Sequence, residues 1–232
     1  MTQITDHLAD IRERVARAAQ RAGRATDSVI IVAVSKQQSA QTIMAAFHAG
    51  QKHFGESYVQ EAIPKMDALE KLDLTWHFIG RMQANKTRAV AERFQWVHTV
   101  DRDRIAARLS EQRPHFAPPL NVLIQVNLGA EPQKGGVSEA EAAALAQTIQ
   151  ALPRLTLRGL MTIPPQLSTA VETQSLFRRL AALRAQLAAD GIAMDTLSMG
   201  MSVDFECAIA AGSTCVRIGT AIFGPRAATA AP

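Results

Sequence analysis

Apolar residues fall into short β-rich runs at 29–35, 52–55, 75–79, 95–100, 121–127, 156–162, 196–199 and 214–218. Between the runs they recur every three or four positions, which predicts helices over 40–49, 57–69, 84–93, 102–112, 139–151, 173–190 and 204–211, with a further amphipathic helix over 4–23. Strands alternating with helices predict a parallel sheet joined by crossover helices. Eight such strands predict an α/β chain closed into a single (β/α)8 TIM barrel. Too few residues follow the last run for a full eighth outer helix, so the N-terminal helix is expected to fill the outer ring. The alternative is an open doubly wound sheet, but the first run lacks the Gly-x-Gly-x-x-Gly turn of a dinucleotide fold, and neither a Walker A loop nor His-Glu-x-x-His occurs.

The 232 residues suit one domain of this kind, placed at 1–226, with 227–232 read as a disordered tail. Hydrophobic residues at 47% and charged residues at 20% give a globular balance. No stretch approaches a bilayer-spanning run and the N-terminus lacks the pattern of a secretory leader, so a cytoplasmic location without membrane partners is expected. Cys207 and Cys215 match neither a redox pair nor a zinc knuckle and read as buried small hydrophobes. The formal charge of +4 and pI near 9.4 raise the question of nucleic acid, with Arg14, Arg17, Arg21 and Arg24 at helical spacing. Ile4, Leu8, Ile11, Val15 and Ala19 occupy the opposite face and no aromatic platform accompanies the arginines, so they read as the solvated side of a helix and no nucleic acid partner is expected.

The candidate chemistry begins with Lys36, which closes the apolar run Val29-Ile30-Ile31-Val32-Ala33-Val34-Ser35. A lone lysine there reads first as a strand end reaching water. In a parallel barrel, however, the strands' carboxyl ends form the active-site floor, where an amine among apolar neighbours becomes nucleophilic and suited to a Schiff base. Barrel closure makes strand eight the neighbour of strand one. Loops after strands seven and eight are the usual phosphate cup of this architecture, with Gly219 allowing close backbone approach and Thr220 and Ser202 offering hydroxyls. If Val216 and Ile218 face the outer helices, Arg217 faces the interior and needs an acceptor, either a carboxylate or a ring nitrogen. A lysine, an inward arginine and a phosphate cup on adjacent strands describe a pyridoxal phosphate pocket. His77 alternates with Trp76 and Phe78 and could face the cavity, but reads first as a satisfied core histidine; Asn85 and Lys86 read as lining the mouth or as a helix start with surface charge, Tyr58 as packing beside a helix start or as an acid or base, and Met161, Met199 and Met201 as gap-fillers or as residues flanking a ring.

Six ordered blocks carry a resemblance: Val34-Ser35-Lys36, Phe54-Gly55-Glu56-Ser57-Tyr58-Val59-Gln60-Glu61, Trp76-His77-Phe78-Ile79-Gly80, Leu157-Arg158-Gly159-Leu160-Met161, Leu197-Ser198-Met199-Gly200-Met201-Ser202 and Val216-Arg217-Ile218-Gly219-Thr220-Ala221-Ile222-Phe223-Gly224. Together they resemble the pyridoxal phosphate homeostasis protein family, which is similar to the N-terminal barrel of alanine racemase and has no established catalytic reaction. The resemblance implies that Lys36 holds pyridoxal 5'-phosphate as a lysine imine and that Arg217 faces the pyridine nitrogen. It also implies that Ser202, Gly219 and Thr220 hold the phosphate and that Ser198 and Met199 line the pocket. Two places depart from the usual family pattern: Ser57 stands where the family often has Asn, and 129–136 differ from the usual form while keeping Lys134. The expected role is a carrier, buffer or regulator of the cofactor rather than an enzyme. Its expected partners are the cofactor, other B6 vitamers and, transiently, apoenzymes that use it. The alternatives are a small racemase-like enzyme with Tyr58 or His77 as a second base and a lysine aldolase acting on a sugar phosphate. Racemization would call for a second domain, for which no room is expected after Gly224.

Overall fold

A computed structural model describes residues 2–129, 135–165 and 169–225. Eight parallel strands close into one barrel in sequence order: β1 Ile30–Val34, β2 His53–Glu56, β3 Thr75–Phe78, β4 Trp96–Val100, β5 Leu120–Gln125, β6 Leu155–Met161, β7 Thr196–Ser198 and β8 Cys215–Ile218. β1 pairs with β8 through Ile30 opposite Cys215, Val32 opposite Arg217 and Ala33 opposite Ile218. This closing seam brings the end of β8 beside Lys36.

Helices follow the strands as α2 Ala40–His48, α3 Val59–Ala68, α4 Thr87–Arg93, α5 Asp103–Gln112, α6 Ala142–Gln150, α7 Ala170–Ala189, α8 Phe205–Ala210 and the short α9 Thr220–Phe223. The N-terminal helix α1, Thr2–Arg21, packs against α2, α8 and α9 and so fills the outer ring as expected. Leu8, Ile11, Val15 and Ala19 of α1 are buried in the core between barrel and helices. Its arginines are less uniformly solvated than their spacing suggests. Arg17 is exposed and paired with Glu13, but Arg14 lies 3.0 Å from Glu206 and over the Phe205 ring, and Arg24 donates to the Ser213 carbonyl. Arg14 thus ties the helix to α8, and Arg24, just past the helix end, ties the following turn to the segment before β8. α7 begins three residues earlier than its apolar periodicity predicts, because Thr169 and Glu172 form a reciprocal capping box.

The main core lies outside the barrel wall, where Phe54, Phe78, Phe94, Phe177 and Phe205 are essentially fully buried. The interior is different. Trp96, Leu123 and Met161 form a separate small apolar cluster, while His77, His98, Ser198 and Arg217 put a buried polar layer across the rest. Met161 is thus a core residue, as its reading as a gap-filler anticipates.

Candidate functional site

Strand alternation decides what reaches the mouth of the barrel. Val32 and Val34 of β1 face inward, Ala33 faces the outer core, Ser35 turns outward, and Lys36 turns back toward the mouth. Lys36 is half-buried and borders a cavity of about 240 Å³ together with Val34, Met201, Ser202, Arg217, Gly219 and Thr220. The strand-end lysine, the inward arginine and the three cup residues therefore meet in one place.

Arg217 is nine-tenths or more buried, and its flanking residues Val216 and Ile218 lie in the outer core, as alternation requires. Its Nη1 donates to Ser198 Oγ at 2.6 Å and its Nη2 to the Thr162 carbonyl at 3.0 Å. Among the described residues no ion pair involves this guanidinium. Burial lowers its pKa, opposed by Cys215 and Asp204, yet a guanidinium stays charged. Burial also pushes the Cys215 thiol up to about 11, so it remains neutral beside Arg217. A carboxylate partner, the ordinary structural explanation for a buried arginine, is replaced here by a hydroxyl and a carbonyl.

Behind Ser198 the polar layer continues across the barrel. His98 Nδ1 lies 2.9 Å from Ser198 Oγ, His77 Nδ1 lies 2.9 Å from His98 Nε2, and His53 Nδ1 lies 3.0 Å from His77 Nε2. Burial holds the pKa of His77 and His98 well below the usual histidine range, and the Arg217 charge lowers His98 further. Each neutral ring offers one donor and one acceptor, so the chain of bonds runs in one sense from strand to strand. His77 is thus a satisfied core histidine.

The cup is formed by the loop after β7 and the start of α9. Gly200 turns the chain at φ +97°, and a Cβ there would lie 2.6 Å from the Ala208 side chain, so only glycine lets α8 press this close. Ser202 Oγ then accepts from the backbone N–H of Gly219 at 3.3 Å and of Ala221 at 3.4 Å. Both contacts are long for hydrogen bonds. The described residues bordering the cavity include the cations Lys36 and Arg217 and no carboxylate. Backbone donors, two hydroxyls and a lysine suit a phosphate monoester, and a flat ring acceptor suits the remaining donors of Arg217.

Two expected pocket residues sit elsewhere. Met199 is fully buried in the core outside the barrel wall, because Ser198 faces inward and its neighbour must face outward. Ser198 faces the interior but is buried beneath Arg217 rather than bordering the cavity. Ser57, Tyr58 and Lys86 border a separate depression with Arg81, and Tyr58 is 61% exposed. Lys134 lies outside the described residues. Sequence reasoning missed Thr162, His98 and the Glu56–Lys65 pair. Only a shared inward phase on strands β2 to β4 hinted at the histidines.

A family model described as alanine racemase, N-terminal domain, matches residues 7–227. The chain is 50% identical over 229 residues to the pyridoxal phosphate homeostasis protein of Escherichia coli strain K12, covering 97% of this chain and 98% of that one. It is 49% identical over 226 residues to the protein of the same name from Pseudomonas aeruginosa, covering 97% of each. Among solved structures, PipY of Synechococcus elongatus with PLP bound superposes with a TM-score of 0.84 at 39% identity, covering 96% of this chain and all of that one.

Proposed function

The chain belongs to the pyridoxal phosphate homeostasis protein family, and from that premise we propose that it binds pyridoxal 5'-phosphate through Lys36 and serves as a cytoplasmic carrier or buffer of the cofactor without turnover of its own. PipY, the solved relative with PLP bound, supports the ligand. One observation carries the reading furthest: Arg217 is buried, charged and held by neutral acceptors at the wall of the cavity that Lys36 borders.

Bound in such a protein, the cofactor supplies an aldehyde that condenses with amines and a ring whose protonated nitrogen would withdraw electrons. The residues here direct those two properties toward retention. Lys36 would provide the amine, while Ser202, Gly219 and Thr220 would hold the phosphate. Arg217 donates hydrogen bonds and yields no proton, so a ring nitrogen held against it would stay unprotonated and the ring would be a weak electron sink. Tyr58 and His77, the candidates for a second base, do not border this cavity. The alternative racemase-like reading has no positioned partner from either of them. Among the described residues, no helix is long and apolar enough to cross a membrane. Other B6 vitamers and cofactor-requiring apoenzymes complete the proposed set of partners.

The test is chemical. Protein loaded with pyridoxal 5'-phosphate, reduced with borohydride and mapped by peptide mass should carry the pyridoxyl group on Lys36. A label mainly on Lys86 or Lys65, or steady turnover of an amino acid, would overturn the reading.

A further inference from the structure

The face of β1 and β2 that turns away from the cavity holds a buried ionic cluster. Ser35 and Glu56 both point outward, into the space beneath α3, and both are fully buried. Lys65 of α3 enters the same space and is itself 8% exposed. Its ammonium donates to the Ser35 carbonyl at 2.9 Å, to Glu56 Oε1 at 2.9 Å and to Glu61 Oε1 at 2.6 Å. All three donors of the ammonium are used. Ser35 Oγ donates to Glu56 Oε1 at 2.6 Å, and the Gln37 backbone N–H donates to Glu61 Oε1. Glu56 Oε2 has no hydrogen-bond partner.

A buried ion pair of this kind is a weak source of stability, because desolvation offsets much of the Coulomb attraction. Its geometry has a more specific consequence. The carbonyl immediately before Lys36 and the amide immediately after it are both held, one by Lys65 directly and the other through Glu61. Between these two pins the chain makes a sharp turn: Gln37 has φ +63°, the only non-glycine residue in the left-handed region among those described. An unpinned turn would relax away from that conformation, which is unfavourable for a residue with a Cβ.

We infer that Lys65, Glu56 and Glu61 are positioning residues that hold the Ser35–Gln37 turn so that Lys36 Nζ meets the aldehyde carbon of a bound phosphorylated ligand. The inference rests on the function proposed above and extends it to residues outside the cavity. In the step they serve, the neutral Lys36 amine forms a C=N bond to the aldehyde carbon, and its two hydrogens leave with the aldehyde oxygen as one water. No electron carrier is required. The cluster does not touch the cup of Ser202, Gly219 and Thr220, so its loss should impair the covalent step and spare phosphate anchoring.

Two ligands separate those contributions. Pyridoxal 5'-phosphate can link to Lys36, whereas pyridoxine 5'-phosphate has the same ring and phosphate but no aldehyde. With Lys65→Met, the rate at which bound pyridoxal 5'-phosphate becomes trappable by borohydride should fall about tenfold or more, since small displacements of a reacting group carry large rate costs. Glu61 is partly exposed, so Glu61→Ala keeps the fold and should slow the step about threefold, while Glu61→Gln keeps the acceptor oxygen and should stay within about twofold of the parent. Affinity for pyridoxine 5'-phosphate should remain within about twofold throughout. The inference is overturned if Glu61→Ala and any folded Lys65→Met protein link at the parental rate. It is also overturned if Glu61→Gln is as slow as Glu61→Ala, or if affinity for pyridoxine 5'-phosphate falls in step with linking. A parent protein that takes up neither phosphate would overturn the cofactor reading itself, and this inference with it.

Discussion

Ser198→Ala tests the polar layer inside the barrel directly, because that one hydroxyl joins the cavity arginine to the histidine chain. Its oxygen lies 2.6 Å from Arg217 Nη1 and 2.9 Å from His98 Nδ1, and it is fully buried. Removing it takes one acceptor from a buried cation, worth about 1.5–3 kcal/mol, and one partner from a neutral imidazole, worth about 0.5–1.5 kcal/mol. Water has little access to replace either. The expected destabilisation is therefore about 2–4.5 kcal/mol, which for a domain of this size lowers the melting temperature by about 4–18 °C. Urea unfolding and thermal melts would measure it, with Met199→Leu as the control because its side chain lies in the outer core and a volume-conserving swap costs less than about 1.5 kcal/mol. Cofactor affinity should fall in Ser198→Ala and hold in Met199→Leu, since only the first releases Arg217. A loss below about 0.5 kcal/mol would refute the claim that Ser198 carries the arginine.

Lys36→Ala should abolish the absorption of linked cofactor while changing stability by no more than about 1 kcal/mol, because a half-buried strand-end side chain adds little packing; unchanged absorption would sink the assignment. Ser202→Ala combined with Thr220→Val should weaken cofactor retention by a few kcal/mol at most, since charge-assisted hydrogen bonds contribute about 1.5–3 kcal/mol each and the backbone donors remain. Equal affinity of the parent for pyridoxal and pyridoxal 5'-phosphate would count against the cup. Stability should also fall in mild acid: His77 and His98 are held well below 6.5 when folded, so below that value the unfolded chain binds protons that the folded chain does not. Their contribution is complete above 6.5 and is lost as pH falls toward the folded values, by up to about 1.4 kcal/mol per pH unit for each histidine. A flat unfolding free energy between pH 6.5 and 5.5 would contradict it. Arg217→Glu, where it folds and binds, should let the ring nitrogen protonate, shift the spectrum of bound cofactor and speed amino-acid α-proton exchange into deuterium oxide; racemization by the unmodified protein at about 1–1000 per second would refute the carrier reading.

How much of this was legible in the sequence follows from how local each signal is. The apolar run ending at Lys36 and the alternation Val216-Arg217-Ile218 specify inward and outward faces within single strands, and the barrel keeps both. The same alternation at β7 requires an outward Met199 beside an inward Ser198. The histidine chain was hidden because it depends on three strand registers at once: His53, His77 and His98 occupy corresponding phases, but nothing local says that their rings meet. The cluster behind Lys36 is half visible. Glu61 and Lys65 stand at the i, i+4 spacing of a helical ion pair, which ordinarily reads as a solvated surface contact. That Lys65 instead turns inward to a strand carboxylate and a strand carbonyl is set by how α3 docks on β1 and β2, which no short window of sequence records.

The two polar systems have opposite charge logic, and that difference bears on the proposed retention without turnover. Inside the barrel, Arg217 keeps its full charge facing the cavity because its partners are a hydroxyl and a carbonyl, and the histidines behind them stay neutral. A carboxylate at the same place would have cancelled the field that keeps a facing nitrogen unprotonated. Outside the wall, the cation is fully engaged by two carboxylates and a carbonyl, so Lys65 has no donor left for another partner. On the function proposed above, the arginine would weaken the ring as an electron sink, while the tie inferred above would keep the amine in place. A site made this way would hold its ligand by a reversible covalent bond and an anchored phosphate, and would withhold the electronic help that carbanion chemistry needs.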